Sequence, residues 1–445
     1  MNHQEIETNL LGSIYASNHL WDTLAYLCDD CDSRFAGTAE ERKAGDFLLE
    51  RFLDFGLVNV HGESFEMRGW ERGSALLSVE TGEGWQVLNA CIALPGSFGC
   101  DLQAEIIDLG SGTAADFSRA GETLNGKIVL TSSDGPGRGE KYAAAREAGA
   151  AAFIFANASP GFLAPTGSIA DTLPAVGLAY EHAARIRRLL KYGPLQAKLT
   201  IQAEVKTVTA RNIVAELPGN DPDQGWVIAC GHYDGHDICQ GAHDNAAAIA
   251  TLVEAARLLN PLRDQLKMGI RFVFFSGEEL GLYGSYAYAR QHAAEMDEIR
   301  LVVNADVVAA AMPLVLRVQS SPELAAYLRS LPLDALDCTV FDGPGAFIQN
   351  SDHFPFSLAG VQAVWALTSH APNGRSWGHT AADTLDKVEP RLLRQTAASL
   401  TRLLWRMASE PDAVPRGRKP SEQVKADVIA AGFEKSLRAA GNWPF

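Results

Sequence analysis

The chain has 445 residues, 47% hydrophobic and 21% charged, with a formal net charge of −16. That length can hold a large core and more than one domain. Acidic residues outnumber basic ones by 54 to 38, which speaks against a nucleic-acid partner because phosphate binding wants a basic surface. Met1 to Leu10 is polar and acidic, without the apolar stretch of a signal peptide. No apolar run approaches the length of a membrane span, so no membrane partner is expected. Seven cysteines in so long a chain do not make a disulfide scaffold, and a cytoplasmic protein is the expectation.

Ile6 to Leu27 reads as helical, with Leu20, Trp21, Leu24, Ala25 and Leu27 at near-helical spacing. Cys28 and Cys31 form a lone C-x-x-C pair; with no second pair, packing is a better reading than metal or redox chemistry. Thr38 is placed to cap a helix over Ala39–Asp54, ending before Gly56. Glu63–Trp70, Ala75–Val79 and Trp85–Leu94 alternate enough to be strands. From Pro95 a βα rhythm takes over. Strands are predicted at Glu105–Gly110, Gly126–Leu130, Ala150–Ala156, Pro174–Tyr180 and Leu199–Val205, with helices at Lys141–Ala148 and Glu181–Tyr192. The glycine-rich run Gly135–Gly139 lacks the Lys-Ser/Thr ending of a phosphate loop. No strand end in this stretch carries a His/Asp/Glu cluster, so it reads as a separate, non-catalytic module.

A second series follows Arg211. Strands are predicted at Asn212–Glu216, Gly225–Cys230, Arg271–Phe275, Leu301–Ala305 and Val361–Leu367. Helices are predicted at Ala246–Leu259, from Glu279 through Ala289, and at Ser321–Ser330 and Pro390–Met407. Arg271–Phe275 is almost continuously apolar, as a central parallel strand should be. The fold class is therefore α/β: a doubly wound, mostly parallel sheet with helices on both faces, plus a small inserted α/β module. Pro411–Pro420 reads as a loop before a tail helix over Glu422–Ala440, whose apolar set docks on its own domain or makes a homo-oligomer contact.

Chemistry gathers at five places: His232 with Asp234, Asp244-Asn245, Glu278-Glu279, Asp306, and His379 with Asp383. Most lie just beyond an apolar strand, and in a parallel sheet those ends point the same way. Carboxylates gathered in one pocket repel and raise each other's pKa, a cost that a divalent metal removes. Histidine and carboxylate without cysteine suit Zn²⁺, with Mn²⁺ or Co²⁺ open as alternatives. One carboxylate can bridge two ions, and a free one beside them can move a proton.

These fragments resemble the M28 family of zinc peptidases. The matching pieces are His232-Tyr233-Asp234, Gly241-Ala242-His243-Asp244-Asn245, Ser276 to Ser285, Asn304-Ala305-Asp306, Ser351-Asp352-His353, and His379 to Thr384, in family order. The resemblance implies two zincs per chain. Asp244 would bridge them, His379 and Glu279 would complete one shell, and His232 and Asp306 the other. Glu278 would be the general base acting on a water between the metals, Asp234 would fix the His232 ring, and Asp383 would support the His379 loop. The Asp244-Asn245 peptide would be cis. Residues 95–205 resemble the protease-associated (PA) domain. The implied organisation is 1–94 as the first part of the catalytic domain, 95–205 as the insert, 206–410 as the zinc peptidase domain, and 411–445 as linker and tail helix.

The expected activity is hydrolysis of short peptides from an end, with an aminopeptidase ahead of a carboxypeptidase or dipeptidase. Arg375 is the candidate binder of a substrate carboxylate. His236 and His243 read as pocket wall or neighbours of the ligands, and His353, after Ser351-Asp352, as a structural hydrogen bonder near the substrate. Phe341–Phe347 is a candidate edge of the specificity pocket. A glutaminyl cyclase-like enzyme with one zinc and a scaffold member without metals are the rivals; the full ligand set weighs against both.

Overall fold

The computed structural model describes residues 3–161, 163–170, 172–368 and 377–445. Among them the strands are β1 (Val58–Thr81), β2 (Gly84–Leu88), β3 (Cys91–Ala93), β4 (Cys100–Asp108), β5 (Ile128–Ser132), β6 (Ala152–Ala156), β7 (Ala175–Leu178), β8 (Gln196–Leu217), β9 (Trp226–His232), β10 (Gly269–Phe275), β11 (Ile299–Ala305), β12 (Leu314–Val318), β13 (Cys338–Phe341) and β14 (Ala363–Thr368). They form one sheet in the order β13-β12-β14-β11-β9-β10-β8-β4-β5-β6-β7-β3, with β1 on β8 and β2 on β1.

The middle is parallel: β10 with β9, β9 with β11, and β11 with β14. Its strands bury both faces, which is why their sequences are apolar runs. Alternate residues face opposite ways. Val227, Ala229, Phe272, Phe274, Leu301 and Val303 share a core with helices His3–Ala16, Ala39–Asp54, Ala247–Leu259 and Pro390–Ser409. Ile228, Cys230, Val273, Phe275 and Val302 face Tyr288 of helix Tyr283–Gln291 and Phe356 of helix Phe354–Leu358. Helix Pro390–Ser409 buries Leu393, Leu400, Leu403, Leu404 and Met407, each contributing about 1.5–3 kcal/mol.

The structure differs from the sequence expectation in several elements. Glu63–Trp70 and Ala75–Val79 belong to the single strand β1, of 24 residues, and the strands expected on either side of Lys206–Arg211 are both part of β8, of 22 residues. The two pair antiparallel from Val58–Glu216 to Val79–Ala197, with irregularities near His61 and Ala75. Their central segments run as a ribbon between the two halves of the sheet, where no flanking strand imposes an apolar pattern. β12 and β13 were not foreseen; they extend the sheet beyond β14, with β12 antiparallel to it. The helix expected from Glu279 starts only at Tyr283, after a turn with Leu282 at φ 60. The first helix divides at Ser17-Asn18, and the tail helix divides into Ser421–Ala430 and Glu434–Ala439, with Gly432 at φ 78 between them.

Cys28 and Cys31 are buried core thiols. Burial pushes Cys28 up to about 12 and Cys31 up to about 11, against the opposing pull of Arg34. Both stay protonated, the state of a packing residue rather than of a metal ligand or redox pair. Among the described residues no helix is long and apolar enough to cross a membrane.

Candidate metal centre

Because β9, β10, β11 and β14 are parallel, their carboxyl ends share one edge. His232 is the last residue of β9; Glu278 and Glu279 occupy the turn after β10; Asp306 follows β11 directly. Asp244 comes from the turn before helix Ala247–Leu259, and His379 from the loop after β14. Gly241 opens the Asp244 turn at φ 53, where a Cβ would meet the Asp244 carbonyl oxygen at 2.6 Å. The Asp244-Asn245 peptide is cis.

The side chains converge. His232 Nε2 lies 3.3 Å from Asp244 Oδ1 and 3.5 Å from Asp306 Oδ1. His379 Nε2 lies 3.3 Å from Asp244 Oδ2 and 3.7 Å from Glu279 Oε2. Ligand atoms held about 2.0–2.2 Å from one tetrahedral ion lie about 3.3–3.6 Å from each other. The separations therefore suit atoms that share an ion better than atoms that share a proton. Asp244 turns one oxygen to each histidine, as a bridging carboxylate would. Glu279 Oε1 and Asp306 Oδ1 are buried without a hydrogen-bond partner among the described residues. The donors are nitrogen and oxygen only, which fits Zn²⁺ and its neighbours.

Charge argues the same way. Burial drives the Glu278 carboxyl well above the usual range; His232 opposes this, while Glu279, Asp306 and Asp352 add to it. Burial, with Asp244, pushes Glu279 up to about 8 against His379 and His232. Burial alone would lower His232, but Glu278 and the nearby carboxylates of Asp234, Asp244 and Asp306 lift it well above its ordinary value. Burial would raise Asp244; bonds from His232 and His379 outweigh it and hold the carboxyl well below. As protein groups alone, His232, Glu278 and Glu279 keep protons, and a divalent cation would displace those on the ligands.

Surrounding contacts fix the donors. His232 Nδ1 sits 3.1 Å from the backbone carbonyl of Asp234 and 3.6 Å from its Oδ1, so the ring is held mainly by the main chain. The Asp234 carboxylate instead accepts the backbone N–H of Glu278 and of Glu279, at 3.3 and 3.4 Å. It satisfies donors that the turn after β10 would otherwise leave unpaired. Asp383 links the loop that carries His379 to the Asp244 turn. Its oxygens accept the N–H of His243 at 2.9 Å and of Asp244 at 3.1 Å, so it braces the Asp244 turn. Asn245 donates to Ala305 O at 2.9 Å and accepts from Val307 N at 3.2 Å. Asp306 Oδ2 accepts the Ser351 hydroxyl at 2.5 Å, and Ser351 accepts from Asn304 Nδ2 at 2.6 Å.

The remaining candidates are placed as follows. His243 faces the carbonyls of Val308 and Lys387, at 3.3 and 3.1 Å, and forms a wall. His353 is buried, stacked on Trp365, with Nδ1 3.4 Å from Asn304 Nδ2; burial pulls it down to about 3. Asp352 is fully buried and pushed up to about 7, chiefly by burial and against His232. Arg375 lies outside the described residues. His236 stands closer than the sequence implied: it is buried, with Nε2 2.9 Å from Glu279 Oε2 and its ring edge-on to His379 at 4.5 Å. Burial lowers it to about 4, opposed by Asp244. It sits in an irregular loop, so no periodicity marks it; its place between His232 and Asp244 was the one available signal.

Two arginines tie distant segments to this edge. Arg34 is fully buried and donates to the carbonyls of Tyr233 at 2.9 Å, Leu27 at 2.8 Å, Asp32 at 2.6 Å, Gln240 at 2.7 Å and Gly241 at 3.1 Å. Arg72 grips Asp237 with two bonds of 2.6 and 2.7 Å and also reaches Thr166 Oγ1 at 3.3 Å.

Residues 212–404 match the sequence profile of Peptidase family M28, and residues 88–186 that of the PA domain. The peptidase M28 precursor from Shewanella amazonensis SB2B has the same architecture, with a TM-score of 0.82, 25% identity, and coverage of 94% of this chain and 99% of that one. An aminopeptidase from Aneurinibacillus sp. strain AM-1 superposes with a TM-score of 0.65 at 25% identity, covering 91% of this chain and 96% of that one. In sequence, carboxypeptidase Q of Xenopus laevis is 26% identical over 428 residues, 90% of this chain and 88% of that protein. Aminopeptidase YwaD of Bacillus subtilis (strain 168) is 26% identical over 436 residues, 93% and 89%.

Proposed function

We propose that this chain, a metallopeptidase with the M28-family fold and an inserted PA domain, is a two-zinc exopeptidase of short peptides, acting as an aminopeptidase. The observation that carries the two-metal reading is Asp244, whose two oxygens each lie 3.3 Å from the Nε2 of a different histidine. His232, Asp306 and Asp244 would hold one ion; His379, Glu279 and Asp244 would hold the other. When bound, the pair would supply Lewis acidity to a peptide carbonyl and acidify a water.

The chain's own residues supply the rest. Glu278 is partly exposed. Its raised pKa suits a group that takes a proton from water and returns it to a departing amine. Asp234 holds Glu278 and Glu279 in register through their backbone N–H groups. Ser351 and Asn304 orient Asp306. The aminopeptidase reading is supported by a surplus of carboxyl groups, since buried Asp352 and partly exposed Glu278 add to the ligands and would favour a substrate ammonium. A carboxypeptidase or dipeptidase is the second reading. Arg317 favours it: its guanidinium lies between the Phe341 and Trp365 rings at 5.2 and 5.4 Å, and its buried Nε has no partner among the described residues.

Residues 1–94 and 206–410 would make up the catalytic body, with 95–205 as the insert and 411–445 as linker and tail. A cytoplasmic setting and a homo-oligomer go with this reading, to be read by fractionation and light scattering.

The test is zinc content together with amino-acid release from a free dipeptide, its N-acetylated form and its C-terminal amide. Two zincs, with cleavage of the free form and the amide, support an aminopeptidase. Cleavage of the acetylated form makes it a carboxypeptidase, and cleavage of the free form alone makes it a dipeptidase. Absence of metal with absence of hydrolysis overturns the proposal.

A further inference from the structure

His236 is 2% exposed, yet neither of its ring nitrogens has a hydrogen-bond partner among the described residues. Its Nε2 lies 2.9 Å from Glu279 Oε2, a distance short enough for a hydrogen bond, so the fault lies in direction: the oxygen is off the line along which the nitrogen bonds. A buried imidazole left unsatisfied is costly and calls for an explanation. Donor atoms of His236, Glu279 and His379 all lie within 4.8 Å of one another. Two imidazoles and a carboxylate gathered so closely are a donor set that could hold one ion, with the 2.9 Å pair opening slightly to admit it.

The loop is also held. Asp237, the next residue, takes two bonds from Arg72 at 2.6 and 2.7 Å, and Arg72 is tied in turn to Thr166 at 3.3 Å and stacks on Trp70 at 4.8 Å. The His379 ring stands edge-on to His236 at an interplanar angle of 73°. The ring is therefore fixed between its own loop and a neighbouring donor.

We propose that His236 is a third imidazole of the centre, entering the shell that contains His379, Glu279 and Asp244. This rests on the two-metal reading and adds to it. The two sites become chemically unequal. The site of His232, Asp306 and Asp244 has one nitrogen and several oxygens. The site of His236, His379, Glu279 and Asp244 has two nitrogens, and so holds Zn²⁺ or Co²⁺ better against Mn²⁺ or Mg²⁺. The second nitrogen of His236 has no acceptor among the described residues, and a ligand without that support binds less strongly.

The test compares the full chain with His236→Gln and His236→Phe. Each is stripped of metal, checked for an unchanged far-ultraviolet dichroism spectrum, and titrated with Zn²⁺ against a chromophoric chelator and with Co²⁺ by visible absorption. In both variants one binding step should weaken about tenfold or more, a loss of the size found when a metal's supporting groups are removed, while the other stays within about twofold. The cobalt bands of the weakened step should change in position and intensity. Two unaltered steps would overturn the assignment. Weakening with an unaltered cobalt spectrum would also overturn it, because His236 would then only orient Glu279. Failure of the unsubstituted chain to take up two ions would overturn the two-metal reading itself, which separates the two failures.

Discussion

The backbone N–H of Thr166, in the inserted module, donates to the backbone carbonyl of His379 at 2.8 Å. His379 has φ 57, the left-handed region that is costly for a residue with a Cβ. The insert thus takes hold of a candidate metal ligand through the main chain.

Thr166→Pro removes that donor together with the hydroxyl that Arg72 reaches, and Thr166→Ala removes the hydroxyl alone. The ion next to His379 should bind about tenfold more weakly, read by chelator competition. Thr166→Ala keeps the N–H and should bind as the unsubstituted chain does. Equal affinities in all three would separate the insert from the centre.

Glu278→Gln should keep both metals and lose turnover by about a hundredfold to ten-thousandfold, the scale of a lost general base. Asp244→Ala should behave oppositely and lose both metals, because each of its oxygens faces a different histidine. Elemental analysis and peptide hydrolysis on the same samples distinguish the two. Full turnover in Glu278→Gln would remove it from the chemistry.

Arg34 draws five backbone carbonyls together, two of them at Gln240 and Gly241 just before Asp244. Arg34→Ala takes a donor from all five and leaves Gly241 with its bond from the Ala246 N–H, and should cost about 3–4 kcal/mol in urea unfolding. Arg34→Lys should recover only part, since an ammonium cannot reach so many directions from one fork. A loss below about 1 kcal/mol would mean that the carbonyls find other donors.

A second cluster, away from the metals, sets a pH dependence of stability. Glu63 faces His292 Nε2 at 2.9 Å and His61 Nε2 at 3.2 Å, and Glu295 faces His292 Nδ1 at 2.8 Å. Burial would raise Glu63 and Glu295, but the His292 contacts outweigh it and leave both lowered. The bond with Glu63, against burial, leaves His292 raised. The carboxylate contributions are present above their unfolded values and vanish as pH falls through the lowered ones. The histidine contribution is present below its unfolded value and vanishes as pH rises through the raised one. This cluster should therefore stabilise most between about pH 4.5 and 6.5. His292→Gln should flatten the neutral side of a plot of urea midpoint against pH. An unchanged slope would exclude His292.

The centre was legible because its donors lie at the ends of apolar strands, where direction is settled by the parallel pairing of β9, β10, β11 and β14. Position along a strand predicts which side chains meet. It does not predict which oxygen or N–H they use: the Asp234 and Asp383 carboxylates also take backbone N–H groups that no spacing marks. For His236, which reads from the sequence as pocket wall or a neighbour of the ligands, no sharper signal exists because loop residues carry no period. β1 and β8 read as fragments because their middles pair with each other alone and bury scattered side chains, such as Met67, Trp70 and Ala210, rather than a continuous face.

Those two strands have a mechanical meaning. A chain that joins two bodies by a loop can rotate about it, whereas this one joins them by a hydrogen-bonded ribbon of up to 24 residues, pinned again at Arg72–Asp237 and Thr166–His379. Closure would have to bend that ribbon or break those pins. Such a joint makes the relative placement of the two bodies a product of folding, fixed before any encounter with a ligand rather than set anew at each one.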